Sequence, residues 1–346
     1  MNFSPKKILI VLHGSIGDVT RAIPLANLLR RGFPHALIAW SIEPAALPLI
    51  EHHPAIDEII VFDRADWRRS LLPFLRRIRN GHFDLVLDLQ RHLKSGIISR
   101  WSGTPHRVGF NRRDAKELNW LFNNHEIPPA TQHESKLNHY LRFLDFLGVS
   151  TSPLVWDIPL SPAETGRVEK LARETGGPFV AYCVGGRWES KRWFADEAAK
   201  SAAQIYQRYG LAAAALGGDE DRPFAAQMQR LGTTPMANLT GRTSLREAIG
   251  ILSRAELSVG PDSGLMHLSA AVGTPVISLW GPTDPKRTGP HGFEDLIVQG
   301  SAPCVPCYVR ECPIGRICMR SITSEQILSH VDAALNRRDF GRGAAN

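Results

Sequence analysis

Short aliphatic and β-branched runs alternate along this chain with longer segments whose apolar residues return at helical spacing. In the first half the runs fall at 6–12 (KKILIVL), 35–41, 57–62, 83–89 (FDLVLDL) and 107–110. Between them, 18–32 (DVTRAIPLANLLRRG) and 67–80 (WRRSLLPFLRRIRN) read as helices, and 133–148 as a longer amphipathic helix closed by Gly148. A second series repeats the alternation: strands at 178–186, 211–218, 257–260 and 274–281, with helices at 194–210, 244–256, 264–273 and 324–339. The tail GRGAAN reads as frayed. Continuous apolar strands alternating with helices predict α/β architecture with parallel sheets.

The 346 residues suit two domains, and the Pro/Ser/Thr-rich stretch 150–164 reads as the crossing between them. The expected division is 1–158 and 159–323, followed by a helix and tail over 324–346. Two such halves predict a ligand cleft between the carboxyl ends of their sheets. No apolar window reaches the length of a membrane span. The basic, briefly apolar N-terminus runs into a glycine turn instead of a cleavage site, and so reads as a first strand of a cytoplasmic protein.

The formal charge of +7 leaves two readings open, a solvated basic surface or an acidic partner such as a phosphorylated substrate or an anionic lipid surface. The basic residues read as dispersed rather than clustered with aromatics, and no nucleic-acid motif is present, so nucleic acid is not expected as a partner. Four of the five cysteines, Cys304, Cys307, Cys312 and Cys318, form C-x2-C-x4-C-x5-C. That spacing fits either a zinc or iron–sulfur site or reduced thiols packing a loop over 304–318. Cys183 reads as core.

Chemistry concentrates in four stretches, three of them at strand-to-helix turns. LHGSIGD follows the first strand, where Gly14 and Gly17 permit a tight turn and Asp18 opens the helix. Asp18 is either a helix cap or a general base at the cleft. The stretch lacks the full dinucleotide fingerprint, and no P-loop pattern occurs in the chain. CVGGRWESK supplies Gly185 and Gly186 for close backbone approach, with Arg187 and Lys191 as cations for a diphosphate, or as solvated basics. PDSGLMH places Asp262, Ser263, Gly264 and His267 at a helix mouth, where open N–H groups favour an anion. His267 alone reads equally as a structural histidine. Lys94, Arg107, Arg112, Arg113 and Lys116 lie in or beside first-half loops, as acceptor contacts or as plain surface.

In order along the chain, KILIV…SIGDVTRAIPLANLLRR, DLQRHLKSG with RVGF, RWESKRW and PDSGLMHLSAAVGTPVISLWGPTDPKRTGP resemble glycosyltransferase family 9, the ADP-heptose:lipopolysaccharide heptosyltransferases. The resemblance spans residues 6 to about 290. It implies a GT-B fold, two Rossmann-like domains facing each other across a cleft, with the acceptor in the first and the nucleotide-sugar in the second. It implies an inverting, metal-independent transfer of heptose, or a related sugar, from ADP-heptose to the lipopolysaccharide inner core. Asp18 takes the catalytic carboxylate's place. Gly185, Gly186, Arg187, Lys191, Thr243, Asp262, Ser263, Gly264 and His267 take the nucleotide-sugar side, and Lys94, Arg112 and Arg113 the acceptor side.

No cofactor is expected beyond the donor. An anionic glycolipid and transient contact with the cytoplasmic face of the inner membrane are the expected partners. Two positions depart from the family pattern. Gly185-Gly186 stands where a Thr-rich turn is usual, and Leu12-His13 where the first strand usually ends in a basic residue. Competing classes are a family-9 transferase using another nucleotide-sugar, an NAD-dependent oxidoreductase with Glu43 as ribose acid, and a metal-binding module built on the late cysteines.

Overall fold

The computed structural model describes residues 4–131 and 134–343. The expected tail beyond 343, the first three residues, and the expected start of a helix at His133 lie outside them. The chain divides into two units, Met1–Pro159 and Leu160–Asn346.

The first unit runs β1 (Lys7–Val11), α1 (Ile16–Gly32), β2 (Leu37–Ile42), β3 (Glu58–Val61), α2 (Trp67–Asn80), β4 (Leu85–Asp88), α3 (Leu93–Trp101), β5 (His106–Phe110), β6 (His125–Ile127) and α4 (Lys136–Leu147). Its strands form one sheet in the order β3-β2-β1-β4-β5-β6, parallel throughout. Strand alternation turns Leu9, Val11 and Val86 toward Phe74 and Ile78 of α2 and Ile98 of α3. Full burial of a side chain such as Ile78 or Phe74 stabilises by about 2 kcal/mol. On the other face α1 packs against α4. Ser135 caps α4, its Oγ accepting from the Asn138 N–H at 3.2 Å, and Gly148 ends it in the left-handed conformation.

The second unit runs α5 (Pro162–Arg173), β7 (Phe179–Cys183), α6 (Ala195–Tyr209), β8 (Ala212–Leu216), α7 (Arg222–Leu231), β9 (Met236–Asn238), α8 (Leu245–Arg254), β10 (Leu257–Pro261), α9 (Gly264–Ala271), β11 (Val276–Trp280), α10 (Pro285–Thr288), β12 (Ile297–Gln299), α11 (Ile317–Arg320) and α12 (Ser324–Gly343). The sheet order is β12-β11-β10-β7-β8-β9, again all parallel. It is the first unit's order repeated. The C-terminal helix belongs to this unit's core, with Ile327, Val331 and Ala334 fully buried. Gly260 in β10 has no room for a side chain, because a Cβ would stand 2.4 Å from the Cys183 carbonyl of β7.

In both units strand order reverses between the first and fourth strands, β1/β4 and β7/β10. Connections leave such a pair on opposite sides and open a crevice at its carboxyl end. Asp18 follows β1, Lys191 follows β7, and Asp262 follows β10.

Candidate active site

In the first unit, Ser15 is the N-cap of α1 and Asp18 is its third helical residue. The expected cap role for Asp18 is therefore corrected by three positions. One carboxylate oxygen, Oδ2, accepts from the Ser15 N–H (3.1 Å) and the Ser15 hydroxyl (3.0 Å). The other, Oδ1, accepts from Arg21 (2.9 Å) and from the Lys136 ammonium at the start of α4. The Asp18 side chain remains 18% exposed.

Burial works against its charge, but Lys136 and Arg21 outweigh that and hold the carboxyl well below the usual carboxylate range. Gln90, after β4, fixes the turn before Asp18. Its amide accepts from the His13 N–H (3.0 Å) and donates to the His13 carbonyl (3.1 Å). The Gln90 N–H in turn donates to the fully buried Asp88 (3.1 Å), which also accepts from Asn119 (2.7 Å). His13 itself stacks against Phe62 and sits 2.6 Å from the Ser41 hydroxyl. Burial, then the charges of Lys94 and Arg64, push its imidazole down to about 3, so it is neutral near pH 7.

A carboxylate lowered by a cation loses that depression when the cation goes. Replacing Lys136 by methionine should return Asp18 toward an ordinary pKa of about 4. The acid limb of the activity–pH profile then moves upward, while the parent's lies lower. The same sign governs stability. The pair's contribution is full above the unfolded pKa of about 4 and is lost as pH falls through the lower folded value. An acid limb unmoved by the substitution contradicts the coupling.

In the second unit, the turn at Glu189–Lys191 after β7 brings the Lys191 ammonium 2.5 Å from the Asp262 carboxylate and 4.6 Å above the Trp188 ring. Thr283, buried after β11, donates to the same Asp262 oxygen at 2.9 Å. Ser263 is the N-cap of α9, and its Oγ is buried with no hydrogen-bond partner among the described residues. An unpaired hydroxyl at a helix N-terminus, beside a lysine, is suited to receive an anion. His267 lies one turn further and is buried. Gly185 admits no Cβ, which would meet Asp221 Oδ2 at 2.4 Å. Gly186 is half-buried and Arg187 exposed on the same turn. Thr243 is half-buried, directly before Ser244, the N-cap of α8.

The structure thus gathers Lys191, Asp262, Ser263 and Gly264 at one switch point and places Lys94 near His13. Arg112, stacked 5.1 Å over Trp120, and Arg113 are exposed residues after β5 that no contact joins to Asp18. Arg107 lies in β5, as its strand run predicts, and its guanidinium bonds the carbonyls of Phe122 (3.0 Å) and Thr104 (2.6 Å). Sequence reasoning missed Lys136, Gln90 and Thr283. Arg21, one helical turn beyond Asp18, carried a readable spacing signal.

All five cysteines are free thiols. Among the described residues no three His, Cys, Asp or Glu side chains are arranged to hold a metal ion. Burial first, and then the other three late cysteines, push the Cys318 thiol up. The cysteine loop braces the Lys191 turn. Glu189 accepts from the Cys312 N–H (3.1 Å) and pairs with Arg316 (2.9 Å), and Ser190 donates to the Val309 carbonyl (2.6 Å).

Two doubly wound units, each with polar side chains at its switch point, are the architecture of the GT-B fold. The chain belongs to glycosyltransferase family 9 (heptosyltransferase), whose profile matches residues 71–318. It is 27% identical to lipopolysaccharide heptosyltransferase 1 of Pseudomonas aeruginosa, over 88% of this chain and 87% of that one. It is 25% identical to lipopolysaccharide heptosyltransferase 2 of Escherichia coli, over 85% and 88%. Among solved structures, a family 9 glycosyl transferase from Veillonella parvula superposes with a TM-score of 0.81 at 22% identity, over 97% and 98% of the two chains. The E. coli heptosyltransferase solved with ADP gives 0.74 at 20% identity, over 96% and 99%.

Proposed function

We propose that the protein is an inverting, metal-independent heptosyltransferase that moves heptose from ADP-heptose to the lipopolysaccharide inner core. The observation that carries the donor side is the convergence of Lys191, Asp262 and the unpartnered Ser263 hydroxyl at the mouth of α9. The relatives' names supply the sugar and the acceptor class. In this reading residues 1–158 bind the acceptor and 159–323 the donor.

Asp18 accepts the proton of the acceptor hydroxyl as that oxygen bonds to the anomeric carbon. The anomeric carbon–oxygen bond to the diphosphate breaks on the opposite side, and its electron pair leaves with ADP. Charge therefore builds on the β-phosphate, where Lys191, Arg187 and the N–H groups of α9 stabilise it. Asp262 and His267 orient the sugar, Gly185 and Gly186 allow the diphosphate to approach the backbone, and Thr243 contacts the nucleotide. Lys94, with Arg112 and Arg113, meets the acidic groups of the glycolipid. Lys136 and Arg21 hold Asp18 ionised and add positive charge where an anionic acceptor must dock.

Such an acceptor places the enzyme at the cytoplasmic face of the inner membrane. Among the described residues no helix is long and apolar enough to cross a membrane. A mass-spectrometric transfer assay offering ADP-heptose beside UDP- and GDP-sugars tests the reading. Transfer from ADP-heptose is expected. Exclusive use of another nucleotide-sugar overturns the donor, and no transfer from any of them overturns the reaction.

A further inference from the structure

The excess positive charge of the chain is not spread evenly, contrary to the dispersed pattern expected from sequence. Residues 61–120 hold thirteen lysines and arginines against six acids, which accounts for the whole formal charge of +7. The other 286 residues are balanced, with 28 of each sign. That segment builds α2, α3 and the turn Asn119–Phe122, which lie together on one side of the first unit's sheet.

The same face exposes apolar side chains that a water-facing surface does not need. Leu93, Ile97 and Trp101 follow one another at four-residue intervals on α3 and are 40%, 47% and 50% exposed. Leu72 of α2 and Leu121 of the neighbouring turn are exposed as well. Trp101 is held in place. The Trp101 indole N–H donates to the Leu75 carbonyl of α2 at 3.0 Å, and Arg79 donates to the Trp101 carbonyl at 3.3 Å. Between the helices lies an open pocket of about 370 Å³ lined by Arg79, Ile97, Arg100, Trp101 and Phe122. Among the described residues, no carboxylate stands within ion-pair distance of Arg76, Arg79 or Arg100.

We infer that this α2–α3 face docks the enzyme on an anionic lipid bilayer. The stripe Leu93–Ile97–Trp101 enters the interfacial layer. Arg76, Arg79 and Arg100 meet the lipid phosphates, with the pocket receiving a headgroup. Charge complementarity selects this occupant. An aromatic and aliphatic stripe ringed by unpaired guanidiniums matches the headgroup–acyl boundary of a negatively charged membrane, where apolar burial and electrostatic attraction add. The inference deepens the proposed function, which brings the enzyme to a membrane-borne acceptor, by naming the surface that meets the lipid.

The test is sedimentation of the full chain with phosphatidylglycerol-containing vesicles and with pure phosphatidylcholine vesicles, without donor or acceptor. Binding to the anionic vesicles alone is expected, weakening as salt is raised. Replacing Arg76 and Arg100 together by glutamine should weaken partitioning about 30-fold, since each cation near the surface contributes about 1 kcal/mol. Ile97→Ser should weaken it as well through the lost apolar contact. A control pair in the second unit, Arg208→Gln with Leu231→Ser, should bind as the parent does.

Circular dichroism of each variant shows whether it is folded. Turnover of a water-soluble, lipid-free acceptor fragment separates docking from chemistry, and the Arg76/Arg100 variant should retain it. If the transfer reaction fails but anionic vesicles are still bound through this face, the surface stands and the proposed function falls. Equal binding to both vesicle types, an unaffected Arg76/Arg100 variant, or self-association through this face without vesicle binding overturns the inference.

Discussion

Asp18→Asn is expected to slow glycosyl transfer by about 10²- to 10⁴-fold, the usual worth of a positioned general base, while leaving ADP-heptose affinity unchanged. Asparagine keeps the shape of the side chain, and its carbonyl oxygen can still accept from Ser15 or from Arg21. What it cannot do is take a proton. The loss should therefore fall on the chemical step, seen as a slower single turnover by mass spectrometry, with donor binding by calorimetry as in the parent.

The environment of Asp18 gives this prediction a second edge. Lys136 and Arg21 stabilise the carboxylate, which keeps it ionised but makes it a weak base. An acidic acceptor that shares those cations lowers their hold on Asp18 and raises its basicity at the moment of attack. The parent should therefore turn over a neutral acceptor fragment more slowly than an acidic one even at saturation. In Asp18→Asn that difference disappears, because no base is left to tune. Full activity in Asp18→Asn removes Asp18 from the mechanism.

The parts of the fold that could be read from sequence were those whose signals are local. β1, β2 and β4 are runs buried on both faces, and α1 and α6 are long enough for their periodicity to show. The three-residue strands β6, β9 and β12 are too short to display any period, and all lie at or near sheet edges. α5 did carry a local signature, Ser161-Pro162-x-Glu164. The structure realises it as a capping box, with the Glu164 N–H donating to Ser161 Oγ at 3.2 Å and the Ser161 N–H donating to Glu164 at 2.7 Å. The surrounding prolines and serines made the same residues read as linker.

The candidate site divides in the same way. Asp18 and the Asp262–His267 stretch stand at strand-to-helix turns, where a glycine beside a polar residue is conspicuous. Lys136 reaches Asp18 across 118 positions, and Gln90 braces His13 across 77. Neither has a neighbour in sequence that announces it. The pairing of Lys191 with Asp262, 71 positions apart, follows from β7 and β10 being adjacent strands, and sheet order is a property of topology that no single segment encodes.

That pairing shapes the expected outcome of Lys191→Gln. The ammonium stands 2.5 Å from Asp262 and over the face of Trp188, so its position is set before any donor arrives. A preset cation is effective against charge that develops during reaction, since little reorganisation is needed at that moment. Glutamine is one bond shorter than lysine and retains an N–H donor, but removes the charge. The expected loss is about 10²- to 10³-fold in kcat, the range for removing one preorganised donor to a developing anion, with a smaller rise in KM for ADP-heptose. The alternative, a raised KM at constant kcat, would mean that Lys191 binds donor and transition state equally and only anchors the ground state.

Asp262→Asn separates the carboxylate's two duties. If the carboxylate's main role is to aim Lys191, then adding Asp262→Asn to Lys191→Gln costs nothing further, and the double variant matches the single one. If Asp262 also holds the sugar hydroxyls, the two losses multiply. Thr283, which bonds the same Asp262 oxygen at 2.9 Å, keeps that carboxylate in place in the lysine variant, so the cycle compares chemistry and not a collapsed site.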